Sequence, residues 1–241
     1  MSAPPVRRSP VHVGTVVAIA SPAPRMQRVT VRCEAMVGAQ IRPAQDVELH
    51  LVDDSGRRVK RRYTIRDLRA GIGEMDLDVV LHGDWPGSTW GRTARPGDEV
   101  RFQGPRGKLE LRPADWHLMV GDESALPAIA AIADAVAEPS IVVVEIPDPQ
   151  EQQPVAATDV RWVHRGSHAP GTPDLLLPTV SALDLPGGKG AAYLLGETRS
   201  MVALRAVLEA RGIAHEAIFV KGYWNVARPD RVSGRAPERP G

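Results

Sequence analysis

The chain has 241 residues, 43% of them hydrophobic, and 30 Lys/Arg against 29 Asp/Glu. This is enough material for one large or two modest domains. The balanced charge gives no block suited to a nucleic-acid arm or a polybasic membrane patch, and no stretch approaches the roughly 18 consecutive apolar residues of a membrane span. Cys33 is the single cysteine, which excludes an intramolecular disulfide, a four-Cys cluster and a zinc ribbon.

Arg7 and Arg8 are followed by no apolar core, so no signal peptide is expected. The expectation is a cytoplasmic monomer without nucleic-acid or membrane partners. Charge is unevenly spread. Residues 1–115 carry 19 Lys/Arg against 14 Asp/Glu, net +5, and residues 116–241 carry 11 against 15, net −4. Either the two halves simply have different surfaces, or the first holds phosphates or an anionic substrate.

The first half predicts strands at 12–20, 26–32, 46–51, 61–66, 75–81 and 99–103, short runs rich in Val, Ile and Leu separated by turns such as Gly71-Ile72-Gly73. Six such strands within about a hundred residues suggest a closed or Greek-key antiparallel barrel. One segment breaks the pattern. Trp85-Pro86-Gly87-Ser88-Thr89-Trp90-Gly91 reads as a helix start, with Pro and hydroxyl residues in its first turn.

The second half changes period. Strands are predicted at 116–120, 140–146, 160–164, 191–195 and 216–221, and helices at 125–136, 173–183 and 200–211, the middle one carrying Pro178. Strands alternating with helices indicate a doubly wound α/β parallel sheet. The boundary falls near Leu111-Arg112-Pro113-Ala114, and the Pro-, Gly- and Arg-rich residues 229–241 read as a disordered tail.

Several segments carry possible chemistry. Arg61-Arg62-Tyr63-Thr64-Ile65-Arg66 supplies what a flavin on a barrel needs. A guanidinium neutralises pyrophosphate, a phenol packs beside the ring, and a Thr hydroxyl reaches the ring edge. His82-Gly83-Asp84 leads into the helix start, whose Ser88 and Thr89 suit either a simple cap or a pyrophosphate. Gly121-Asp122-Glu123-Ser124-Ala125-Leu126-Pro127 follows the first strand of the second half, and Gly196-Glu197-Thr198 a later one. Each is either a tight strand–helix turn or a place where a nicotinamide or phosphate meets the backbone. Gly222-Tyr223-Trp224 at the last strand is either a core cap or an aromatic cover for a flavin. His164 and His168 are four apart, but Gly166 interrupts a helix between them, so no metal site is expected.

Taken in order, Arg61–Arg66, Val80-Leu81-His82-Gly83-Asp84, Pro86–Trp90, Pro96-Gly97-Asp98, Gly104-Pro105-Arg106-Gly107, Gly121–Ile129 and Gly222-Tyr223-Trp224 resemble the siderophore-interacting protein family within the ferredoxin–NADP reductase-like superfamily. The resemblance implies a flexible N-terminus at 1–11, an FAD-binding barrel at 12–113 and an NAD(P)H-binding α/β domain at 114–228. It implies FAD held by Arg61, Tyr63, Thr64, Ile65 and Arg66, with His82, Gly87, Ser88, Thr89 and Trp90 near the rest of the FAD and Trp224 over the ring. It places NADH or NADPH near Gly121, Asp122, Glu123, Ser124, Gly196 and Glu197. The implied activity is reduction of a ferric siderophore in the cytoplasm with release of Fe(II), Thr64 being the hydrogen-bond partner of flavin N5.

The departures from the family pattern bear on the cofactor pocket, at Trp85, and on the acceptor. Trp85-Pro86-Gly87-Ser88 replaces the usual Gly-Pro-Ala-Ser. Glu48 stands where many members have a basic residue. Asn225 and Ala227 replace a terminal Arg and a Gly. Lys221 and Arg228 are the candidate replacement cations for the siderophore. Two rival readings stay open, a reductase of the same fold with a quinone, free flavin or redox-protein acceptor, and a non-catalytic siderophore- or flavin-binding protein. For a 2′-phosphate, the segment 147–151 offers no Arg, leaving Arg161, Arg165 and Arg199 as the cations within reach.

Overall fold

The computed structural model describes residues 10–53 and 55–227. These form two compact units that divide between Lys108 and Leu109.

The first unit contains β1 (Val11–Ala23), β2 (Met26–Arg32), β3 (Asp46–Val52), β4 (Arg58–Arg69), β5 (Glu74–Val80), α1 (Pro86–Thr93) and β6 (Glu99–Arg106). The strands close into an antiparallel barrel in the order β1-β2-β5-β4-β3-β6, β6 pairing back onto β1. The alternation of β5 shows why. Met75, Leu77 and Val79 are fully buried inside, with Val29, Val31, Leu49 and Phe102, as the period of two demands. The opposite face of β5 carries acids matched by cations on its neighbours. Asp78 pairs with Arg28 at 2.7 Å, Asp76 with Arg69 at 2.8 Å, and Glu74 with Arg32 at 2.5 Å.

The second unit contains β7 (Trp116–Asp122), α2 (Leu126–Ala133), β8 (Ser140–Ile146), β9 (Asp159–His164), α3 (Pro173–Ser181), β10 (Gly190–Glu197), α4 (Thr198–Ala210) and β11 (Ile218–Trp224). Its five strands are parallel, in the order β11-β10-β7-β8-β9. β7 and β8 are buried along their whole length, as expected of strands covered on both faces. The order reverses direction between β7 and β10, and in such sheets ligands bind at the carboxyl ends of the strands flanking that switch.

Both architectures are those the sequence predicts, and β8 occupies the predicted residues. So does β2 (Met26–Arg32), while several other ends shift. Gly121-Asp122 and Gly196-Glu197, read as turns, are the last residues of β7 and β10, because Asp122 pairs with Glu145 and Glu197 with Trp224 in the parallel ladders. For the same reason Gly222-Tyr223-Trp224 lies within β11 rather than after it. α2 stops at Ala133, short of the predicted 136. β4 runs beyond 61–66 at both ends, since it pairs with β3 on one side and β5 on the other.

Candidate functional site

In the first unit, β4 and α1 bring the predicted flavin residues together. An ideal Cβ at Gly87 would lie 2.1 Å from the Tyr63 hydroxyl and 3.7 Å from Arg61 Cγ, so only glycine lets the two strand residues rest on the first turn of the helix. Tyr63 also meets Trp90, ring centroids 5.8 Å apart and tilted, and burial pushes its phenol well above the ordinary tyrosine range. The phenol is therefore neutral at any physiological pH. α1 begins with Pro86 and no side chain caps it, leaving its first free amides for another acceptor.

The half-buried Arg61 guanidinium donates to the Lys60 carbonyl at 3.0 Å and meets no carboxylate among the described residues. Arg62, its neighbour, is held by Asp46 through two bonds of 2.8 and 2.6 Å. A cation without a carboxylate, beside an uncapped helix start, fits a diphosphate, and the residues present thus fit FAD.

Other predicted members have supporting places. Ile65 is 1% exposed and packs in the barrel core, so its side chain does not face a ligand. Arg66 falls at a register shift between β4 and β5, the kind of bulge that re-aims a side chain. Thr64 is buried opposite Asp46. The Ser88 hydroxyl accepts from the His82 backbone N–H at 2.9 Å and from Arg92 at 3.0 Å, pinning the approach loop to α1 and leaving its own proton to donate. His82 is exposed, and Thr89 donates its backbone N–H to Trp85 O within the helix.

In the second unit, the ends of β7 and β10 form a glycine gap at the switch point. A Cβ on Gly121 would sit 2.2 Å from the Leu195 carbonyl, and one on Gly196 would sit 2.6 Å from Asp122 Oδ2 at a φ of +151°. Asp122, 5% exposed, is the knot of this gap. Its Oδ1 accepts from the Ser124 backbone N–H at 2.9 Å and from the Ser124 hydroxyl, and its Oδ2 accepts from Glu197 N–H and Trp224 Nε1, each at 2.9 Å. Burial first, then the adjacent Glu123 charge, raises its pKa to about 6. Glu197 in turn caps α4, accepting from Ser200 N–H at 2.8 Å. Both carboxylates, predicted as nucleotide contacts, are buried and hydrogen-bonded at this gap.

Glu123 is also engaged. Arg165 donates to it at 3.0 and 2.7 Å and to Glu145 at 2.9 Å, the guanidinium being 6% exposed. Arg165, read as within reach of a 2′-phosphate, is instead locked between two carboxylates, and Glu145 was invisible as its partner because the three residues come from separate strand ends. Trp224, predicted over a flavin, is the last residue of β11. Its indole bonds Asp122, and its ring fills the space a Cβ on Gly171 would need. Lys221 sits 4.8 Å over the Tyr223 ring. Arg228, residues 1–9 and the tail 229–241 lie outside the described residues.

The sequence pattern of the siderophore-interacting FAD-binding domain matches residues 46–109, and that of the siderophore-interacting protein matches residues 114–227. An uncharacterized protein of Mycobacterium tuberculosis, Rv2895c, is 32% identical over 189 residues, covering 71% of this chain and 67% of the relative. This chain belongs to the siderophore-interacting protein family.

Ferric vibriobactin reductase ViuB of Vibrio cholerae is 33% identical over 176 residues, 69% of this chain, and the match spans 64% of that relative's length. The crystal structure of a siderophore utilization protein from T. fusca superposes with a TM-score of 0.83 at 29% identity, covering 90% of this chain and 93% of that one. Within that family, residues 46–109 are the part that matches its FAD-binding domain.

Against the family pattern, Glu48 now has a place. It pairs with Lys60 at 2.8 Å and with Arg106, and these cations hold its carboxyl below the usual range despite partial burial. Glu48, read from the sequence as a departure, is thus neutralised by cations on the neighbouring strands β4 and β6. Among the described residues, no helix is long and apolar enough to cross a membrane.

Proposed function

We propose that this family member is an FAD-dependent NAD(P)H oxidoreductase that reduces a ferric siderophore and releases Fe(II) in the cytoplasm. The observation that carries the reading is Arg61 resting on Gly87 at the uncapped start of α1 with no carboxylate partner among the described residues. This is a cationic diphosphate cradle inside the segment matched to the FAD-binding domain.

When bound, the flavin supplies the conversion of a two-electron donor into one-electron steps. Arg61 and the first amides of α1 neutralise the pyrophosphate. Tyr63, neutral and half-buried against Trp90, would keep water from one side of the site. Thr64 would be the hydrogen-bond partner of the flavin ring edge. In the second unit the Gly121–Gly196 gap admits the nicotinamide nucleotide to the backbone at the switch point, with Asp122 and Glu197 fixing its walls. Lys221 and Arg228 supply cations for the anionic chelate. Fe(III) binds oxygen-rich chelators far more tightly than Fe(II), so reduction alone loosens the metal and leaves the chelator intact.

An anaerobic absorbance titration tests this. NADH or NADPH bleaches the flavin band, and a ferric hydroxamate or catecholate chelate restores it while an Fe(II)-specific chromogenic chelator develops colour. A flavin that bleaches but is restored only by quinone or free flavin assigns a different acceptor. A flavin that neither nucleotide bleaches removes the reductase reading.

A further inference from the structure

We propose that the nucleotide site selects NADH and disfavours the 2′-phosphate of NADPH, through the charge lock Glu123–Arg165–Glu145. This rests on the reading of the second unit as a nicotinamide nucleotide site.

In a doubly wound sheet the adenosine ribose lies at the carboxyl end of the strand beside the first, where an acid accepts from the 2′-OH or an Arg holds the 2′-phosphate. Here that strand is β8, with β9 beyond it. Arg165, which immediately follows β9, is the guanidinium at this end. It makes three bonds of 2.7 to 3.0 Å to Glu123 and Glu145. Two carboxylates on one guanidinium leave the lock net negative, and a phosphate monoester brings about −1.5 to −2 more. To reach Arg165, the phosphate would displace a bidentate carboxylate from a buried cation, and the freed Glu123 would remain close by. That substitution exchanges one anion for a larger charge and gains little.

The neighbouring groups add repulsion. Asp148, two residues beyond the end of β8, accepts from Gln150 N–H at 2.9 Å, and Glu151 is buried in the same turn. A carboxylate at this position suits a ribose 2′-OH.

The other two arginines are elsewhere. Arg161 lies in the interior of β9 and is bonded to Asp159 at 2.9 Å. Arg199 is exposed in the first turn of α4, after β10. β7 stands between β10 and β8, so Arg199 is two strand spacings, about 10 Å, from the end of β8.

The experiment is calorimetric titration of the full-length protein, as purified, with ADP-ribose and with 2′-phospho-ADP-ribose at matched ionic strength. These ligands lack the nicotinamide, so the readout is binding and not turnover. The expected result is at least tenfold tighter binding of ADP-ribose, and a narrower ratio in Glu123→Gln, which releases part of Arg165. Equal or tighter binding of the phosphorylated ligand by the unaltered protein overturns the selectivity while leaving the nucleotide site standing. An unaltered ratio in folded Glu123→Gln overturns the lock as its cause. Binding of neither ligand overturns both the selectivity and the nucleotide site beneath it.

Discussion

Trp224 donates its indole N–H to Asp122 at 2.9 Å across 102 positions of sequence. The bond joins the ends of β11 and β7, and the Glu197 N–H on the same carboxylate oxygen joins β10 to them. One buried acid therefore ties three neighbouring strand ends at the switch point, where the nucleotide is proposed to bind. Asp122→Ala leaves the Glu197 N–H and the Trp224 indole without their acceptor, at about 1–3 kcal/mol for each buried donor. We expect a fall in the denaturant midpoint and at least tenfold weaker ADP-ribose binding, with flavin content unchanged. Urea melts and calorimetry check this. Unchanged nucleotide binding would show that Asp122 has only a structural role.

The same carboxyl should report on pH. Its pKa, near 6, is raised above the unfolded value by burial and by Glu123. Between about pH 4 and 6 the folded state retains a proton that the unfolded chain has lost, so this group's contribution to stability falls as pH rises through that window. Above it, the carboxylate is charged and its bond to the Trp224 indole is at its strongest. The part of the tryptophan emission that disappears in Trp224→Phe should titrate with a midpoint near pH 6, and Asp122→Asn should abolish that midpoint. A midpoint below 4.5 in the unaltered protein would mean that the carboxyl is not desolvated as the geometry implies.

The proximity of the first unit's candidate residues was largely legible, because it is local. Arg61 and Tyr63 are two apart on one strand, and Gly87 to Trp90 open the next helix, so both halves of the cradle were visible as contiguous runs. β8 was legible for a similar reason, since Ser140-Ile141-Val142-Val143-Val144 is an unbroken β-branched run. The knots of the second unit were not. Asp122 draws its donors from residues 75 and 102 positions away, and Arg165 reaches partners 42 and 20 positions away. Nothing in a one-dimensional pattern separates an Arg that meets phosphate from one locked by carboxylates. Glycines at 121 and 196 read as turns because glycine usually breaks strands. Here they continue them, because a Cβ would collide with the adjacent strand or with Asp122.

Glu48, read from the sequence as a departure, offers a test of the proposed acceptor face. Lys60 and Arg106 neutralise it and lower its pKa. Its contribution to stability is therefore present above the ordinary carboxylate range and is lost as pH falls through the lowered folded value. Glu48→Gln uncovers the two cations, which sit on a surface that Arg62 also shares. If this face meets an anionic ferric chelate, the variant should lower the KM for the chelate several-fold at low salt, the gain fading by about 0.5 M salt as screening sets in. The KM for NADH should not move. A chelate KM that is insensitive to both the substitution and salt would place the acceptor away from this face.

Gly87 gives the sharpest test of the flavin cradle, because the clash falls on a single side chain. A Cβ there would stand 2.1 Å from the Tyr63 hydroxyl and 3.3 Å from Tyr63 Cζ. Gly87→Ala must push the phenol aside or tilt α1, an overpacking cost of about 1–3 kcal/mol. Either movement displaces Arg61 from the uncapped helix start. We expect the purified variant to carry less than half of the flavin of the unaltered protein, read from absorbance against protein concentration. Tyr63→Phe removes the colliding oxygen, so the double variant should recover melting temperature and flavin content together. Recovery of stability without flavin would mean that the phenol hydroxyl itself holds the cofactor. Full flavin content in Gly87→Ala alone would remove the first turn of α1 from the site.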